Sequence, residues 1–206
     1  MAQYDEYIWL YLKQRLGNEY AVAGLMGNLY AESGLRPNNL QGSYETSLGY
    51  SDESYTLAVD TGTYSQNQFV HDSAGYGLAQ WTYWSRKQRM YTFWKERGYD
   101  SIGNIDMGLD FLVHELKTYY SGIWNALKKA TSVRQASDII LLQYERPKDQ
   151  SEAVQERRAS YGQGYYDTYS GTGEAGSDDG TGEDSYIKKK SKLSLVMLYL
   201  ASKKVV

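Results

Sequence analysis

Cysteine is absent from the 206-residue chain. That absence removes disulfide frameworks, Cys-ligated zinc and a thiol nucleophile together, and it leaves the redox compartment open. Histidine is scarce: His71 and His114 are far apart and outside any two-histidine helical spacing, so no metal centre is expected. A surplus of positive charge is missing as well. With 22 Lys+Arg against 25 Asp+Glu, the chain lacks the electrostatic footprint that phosphate backbones attract, and nucleic acid is not an expected partner. The N-terminus, "MAQYDEYIWLYLKQRLG", carries acids early and no continuous apolar stretch, so no cleavable signal peptide is expected. The apolar centre of the C-terminal "YIKKKSKLSLVMLYLASKKVV" runs about eight residues, against the roughly 20 needed to cross a bilayer.

Aromatic side chains with a polar end are abundant. Tyr supplies 22 residues and Trp five, while Phe supplies three. Such rings can bury a face and still offer an O–H or N–H, which suits sugar faces and amphipathic cores equally.

The periodicity is mostly helical. Tyr4, Ile8, Leu12 and Leu16 predict a helix from about Asp5 to Leu16, closed by Gly17. Asn18 caps a second helix, in which Ala21, Ala23, Gly24 and Gly27 are small enough to admit neighbouring backbone. That helix is the expected buried centre, running to about Ala31 and stopped by Gly34 and Pro37. Residues 38–78 are rich in Asn, Gly, Ser, Asp and Thr, with short alternating pieces such as "YTLAV" and "QFV"; an irregular region with a β-hairpin is expected there. Four further helical stretches follow: "SRKQRMYTFWKERG", "NIDMGLDFLVHELKTYY", "TSVRQASDIILLQYERP" with a Thr131 cap and a break before Pro147, and "QSEAVQERRASYGQGYY".

After Ser170 the composition changes to "GTGEAGSDDGTGEDS", which is too poor in apolar residues to offset its ordering entropy. The expected organisation is a helical domain over 1–170 with a small β element, an acidic Gly-rich linker over 171–185, and a basic and apolar tail over 186–206.

Three motifs carry chemistry: "GNLYAESGLRP" at 27–37, "GYGLAQW" at 75–81 and "YERP" at 144–147. In order and spacing they resemble the successive signatures of phage tail-associated lysozymes, relatives of goose-type lysozymes and lytic transglycosylases within the lysozyme-like superfamily. The resemblance covers roughly residues 1–168. It departs at Ala79, where many relatives have Met, and at Glu145, where transglycosylases typically have Asn.

The resemblance implies a mainly α, lysozyme-like fold and hydrolysis of the β-1,4 bond between N-acetylmuramic acid and N-acetylglucosamine, without a cofactor. It makes Glu32, at the end of the central helix, the catalytic acid. Asp72, just before the cleft motif as in goose-type enzymes, becomes the second carboxylate that orients water. Tyr76, Gln80, Trp81 and Tyr144 become substrate-binding residues: Gln80 through its amide, Tyr76 and Trp81 through stacking faces, Tyr144 through a phenol near the cleaved bond. Bacterial peptidoglycan is the implied partner and the virion the implied location, with the tail meeting a protein partner or, alternatively, a membrane surface.

Physical chemistry supports an acid at Glu32. Breaking a glycosidic bond requires a carboxyl still protonated near neutral pH, and both burial beside Leu29 and Leu35 and the negative end of a helix favour the neutral form. Two other classes stay open at this level. A lytic transglycosylase would use the same Glu32 with the muramic 6-hydroxyl as nucleophile, and a silent wall-binding module would keep the cleft without turnover.

Overall fold

The computed structural model describes residues 4–171. α1 (Asp5–Leu16) buries Ile8, Trp9, Leu12 and Leu16 along one stripe and ends at Gly17, whose φ of 64° supplies the left-handed cap. Asn18 follows as the cap of α2 (Glu19–Ser33), its side chain accepting from the backbone N–H of Tyr20 and Ala21. The same side chain donates to the carbonyls of Lys128 and Ala130 at 3.2 and 2.9 Å, tying the start of α2 to a distant loop.

Every residue of α2 from Ala21 to Leu29 is buried, which makes it the central helix expected from its small residues. The reason is visible at two glycines. A Cβ on Gly24 would stand 2.5 Å from Ser137 N, and one on Gly27 would stand 2.5 Å from Arg158 O and Gly162 N. Two later helices therefore lie against α2 at backbone distance, an approach any side chain would prevent.

Residues 38–78 are helical rather than hairpin-like, which corrects the sequence expectation. α3 (Gly42–Leu48), α4 (Asp52–Asp60) and α5 (Gln66–His71) occupy the region, with "YTLAV" inside α4 and "QFV" inside α5. Reciprocal caps start the latter two: Ser51 with Ser54, and Ser65 with Gln68. The β element is confined, among the described residues, to the isolated bridges Leu40↔Tyr76 and Tyr76↔Trp81. Asp52 fastens this region to the end of α2, pairing with Arg36 at 2.5 Å and accepting from Leu40 N at 2.7 Å.

The second half continues with α6 (Trp84–Arg97), α7 (Ile105–Tyr119), α8 (Ser121–Lys128) and α9 (Val133–Ile139), the last capped by Ser132 rather than Thr131. A π-helical turn, Ile140–Glu145, extends α9 and ends at Arg146 in the left-handed region, φ 50°. α10 (Glu152–Tyr169) packs along α2 through Gly27 and Gly162.

Several tyrosines bury their rings and place their hydroxyls on polar partners in or at the edge of the core. Tyr11 donates to Asp110, Tyr55 to Asp72 and Tyr144 to Glu115, while Tyr76 pairs with Thr56. The linker and tail expected after Ser170 lie, Gly171 apart, outside the described residues. No helix among the described residues is long and apolar enough to cross a membrane.

Candidate active site

Glu32 stands in the last turn of α2, one residue before Ser33, whose hydroxyl donates to Leu29 O at 3.1 Å and Leu78 O at 2.8 Å. Ser33 thus stitches the helix end to the "GYGLAQW" loop. A cleft of about 440 Å³ opens there, lined by Glu32, Gln41, Gln80, Thr82, Tyr83, Arg86, Glu145 and Pro147. It gathers side chains from four places the sequence keeps apart: the end of α2, the start of α3, the stretch from Gln80 into α6, and the π-helical turn with the Pro147 that follows it.

Glu32 has a cationic partner that the sequence did not announce. Arg158, from α10, reaches its Oε1 at 2.6 Å and is itself steadied by Asn28, whose Oδ1 lies 3.3 Å from Arg158 Nη1. Asn28 is fully buried and donates to Gly24 O, Ser137 O and Ser137 Oγ at 2.9 to 3.1 Å. One amide therefore locks α2, α9 and the arginine that meets Glu32.

Across the cleft stands Glu145. Its Oε1 is enclosed and has no hydrogen-bond partner among the described residues. Burial, then the negative charge of Glu32, pushes its carboxyl up to about 8 against the pull of Arg86 and Arg158. Its neutral form is favoured accordingly. The π-helical turn presents it: the residue before it, Tyr144, turns into the core while Glu145 faces the cleft. Such wide turns often occur at functional sites.

Gln80 lies in the cleft wall, at a φ of 45°. Its Nε2 donates to Asn39 O and Gly77 O, each at 3.1 Å, so its amide is fixed before any ligand arrives. Gly75 makes room for it, since a Cβ there would lie 2.7 Å from Gln80 Oε1 and 3.2 Å from Gln41 Oε1 and Thr82 Oγ1.

The other expected site residues lie elsewhere. Trp81 and Tyr76 are wholly buried and present no face for a sugar. Trp81 instead donates from Nε1 to Glu115 Oε2 at 2.9 Å, and Tyr76 exchanges a hydrogen bond with Thr56 at 2.6 Å. Tyr144 is buried and donates to Glu115 Oε2 at 2.6 Å, away from the cleft. Glu115 also takes two bonds from the Arg86 guanidinium, at 2.8 and 2.9 Å. Burial works to raise the Glu115 carboxyl, and Arg86, Tyr144 and Trp81 more than reverse it, leaving a carboxylate below the usual range. Its consequence for the cleft is mechanical, because it clamps Arg86 beside Glu145.

Asp72 is likewise a structural acid. Its side chain is 2% exposed and paired with the fully buried Lys87, while Tyr55 donates to it and Ala74 N donates at 2.9 Å. Burial pulls the Lys87 ammonium down to about 8, with Asp72 opposing. Asp72 does not line the Glu32 cleft, and its carboxylate is taken up by Lys87.

A small-residue helix buried at the centre of a helical domain, ending at an acid in a polar cleft with a second carboxyl opposite, is the arrangement of a lysozyme-like, wall-degrading enzyme. The family model for phage tail lysozymes matches residues 3–169, and the chain belongs to that family. It is accordingly a cell-wall lytic protein of the phage tail, with peptidoglycan as its substrate.

Proposed function

We propose that this lytic activity is that of a muramidase, cleaving the β-1,4 bond between N-acetylmuramic acid and N-acetylglucosamine, with Glu32 as general acid and Glu145 as the carboxylate that orients water. The observation carrying this reading is two carboxyls, Glu32 and Glu145, lining one cleft, with Glu32 paired to Arg158 and the Glu145 carboxyl raised by burial. One proton for two carboxyls is what glycoside hydrolysis by an acid and a base requires.

Glu32 is the member open to the cleft, whereas Glu145 keeps one oxygen enclosed. As general acid, Glu32 gives a proton to the leaving oxygen. Glu145, ionised beside Arg86, accepts a proton from water as its oxygen attacks the anomeric carbon. A base at this position favours water over the muramic 6-hydroxyl as nucleophile, hence hydrolysis over transglycosylation.

Mass spectrometry of fragments released from purified peptidoglycan tests the reading. Reducing muramic ends are expected from the wild type, and Glu32→Gln should release almost none while still binding glycan. Anhydromuramic ends would make the protein a transglycosylase. Near-normal release by Glu32→Gln with none by Glu145→Gln would exchange the two roles, and binding without any release would leave a wall-binding module. For the basic and apolar segment 186–206 we propose attachment to a protein of the virion, tested by whether a chain ending at Ser170 is still incorporated into particles.

A further inference from the structure

Next to the Glu32 cleft lies a second cavity of about 480 Å³, lined by Val70, His71, Ser73, Thr82, Tyr83 and Trp84. The two cavities share Thr82 and Tyr83, so they adjoin on the surface. Tyr83 is 64% and Trp84 52% exposed. That exposure singles Trp84 out among the five tryptophans: Trp9 and Trp81 are fully buried, and Trp94 and Trp124 are 3% and 7% exposed. The rings of Tyr83 and Trp84 lie 6.0 Å apart at 41°, and His71 lies 6.3 Å from Trp84 at 27°. Two large rings beside a polar cleft keep a costly apolar surface in water, which calls for an occupant.

We propose that Tyr83 and Trp84 form a platform for sugar rings of the glycan strand away from the cleaved bond, so that the strand runs from Glu32 over Tyr83 to Trp84. This inference rests on the reading of the Glu32 cleft as the place of glycan cleavage. Its occupant is the apolar face of an N-acetylated pyranose, whose axial C–H groups pack on an aromatic face while its rim stays hydrated. Peptidoglycan is a polymer, so a strand held at Glu32 must continue past the cleft along the surface. The adjoining cavity and the exposed rings of Tyr83 and Trp84 coincide beside it. The stacking surfaces expected at Tyr76 and Trp81 are thus supplied by the next two aromatic residues of the chain.

Binding of linear N-acetylglucosamine oligomers to the full-length Glu32→Gln protein, by calorimetry and tryptophan fluorescence, tests the platform. A hexamer should shift the emission of Trp84 to the blue and bind more tightly than a trimer. Trp84→Ala should abolish the shift and reduce the hexamer-to-trimer affinity ratio about 3- to 10-fold, and Trp84→Phe should restore most of that ratio in calorimetry. An unchanged ratio in Trp84→Ala would overturn the platform. So would a Trp84→Ala protein whose ratio is normal but which no longer enters particles, since the rings would then serve a protein contact. These outcomes are separate from the cleavage reading: loss of fragment release in Glu32→Gln stands or falls without Trp84, and a Trp84-dependent ratio in a protein that releases no fragments would keep the platform and remove the cleavage.

Discussion

Glu145 shares its cleft with Glu32, and after burial it is the negative charge of Glu32 that holds the Glu145 carboxyl at about 8. A raised acid in the folded state has a thermodynamic signature as well as a catalytic one. The unfolded chain releases this proton near the ordinary value of 4.5 and the folded protein retains it to about 8. The stability contribution of Glu145 is therefore complete below the lower value and declines as pH rises through the upper one.

Glu145→Gln is neutral at every pH and should remove that decline. Relative to the wild type its stability should rise between those two values, by on the order of 1–2 kcal/mol once partial exposure is allowed for. Urea unfolding at a series of pH values measures it, and any constant cost of the amide cancels in the comparison. A difference flat with pH would mean that Glu145 is ionised in the folded protein at neutral pH.

Asp72→Asn should affect stability far more than chemistry. The amide keeps the shape but leaves the Lys87 ammonium buried without its counter-charge, a loss of about 3–5 kcal/mol for pairs of this kind. Because Asp72 opposes the burial that has drawn Lys87 down to about 8, the amine of the variant sheds its proton below that value, and the deficit should shrink as pH rises towards about 8. Thermal unfolding against pH checks the trend. A variant that melts like the wild type but no longer releases wall fragments would return Asp72 to the active site.

How far the chain could be read from its letters depended on whether the relevant forces were local. α1 and α2 were legible because apolar spacing, an Asn cap and glycine stops all act within a few residues. The small residues of α2 announced close packing, though not which helices would pack. α5 was missed although Ser65 and Gln68 spell a capping box, because short apolar pieces between polar residues suit a strand as readily as a short helix. Glu32 was legible as a helix-end acid within an ordered set of motifs. Arg158 was not, since it comes from α10, 126 positions further on, and nothing near either residue signals the pair. The aromatic rings misled for a physical reason: a tyrosine or tryptophan beside glycines can stack on a sugar or sink into the core, and Tyr76, Trp81 and Tyr144 sank because buried Thr56 and Glu115 offered partners for their polar ends. Glu145 was in view beside Tyr144, but its direction depends on a π-helical turn that a 3.6-residue period does not foresee.

Two glycine substitutions should separate the fold from the cleft. At Gly27 an added Cβ would meet the backbone of Arg158 and Gly162 at 2.5 Å, and no side chain can move aside to relieve it. Gly27→Ala must push α10 off α2, costing about 1–3 kcal/mol or more, which outweighs the roughly 1 kcal/mol that Ala gains over Gly in a helix. At Gly75 the nearest atom is the end of a side chain, Gln80 Oε1 at 2.7 Å, with Gln41 Oε1 and Thr82 Oγ1 at 3.2 Å. These groups can yield without moving backbone, so Gly75→Ala should melt within a few degrees of the wild type, in keeping with a cost of about 1 kcal/mol. Yet the polar wall opposite Glu32 would be displaced, and positioning errors near 1 Å cost activity heavily, so kcat/KM on soluble wall fragments should fall about tenfold or more. Paired melting and turnover measurements on both variants decide the matter. Normal turnover in a stably folded Gly75→Ala protein would show that Gln80 and its neighbours do not position the substrate.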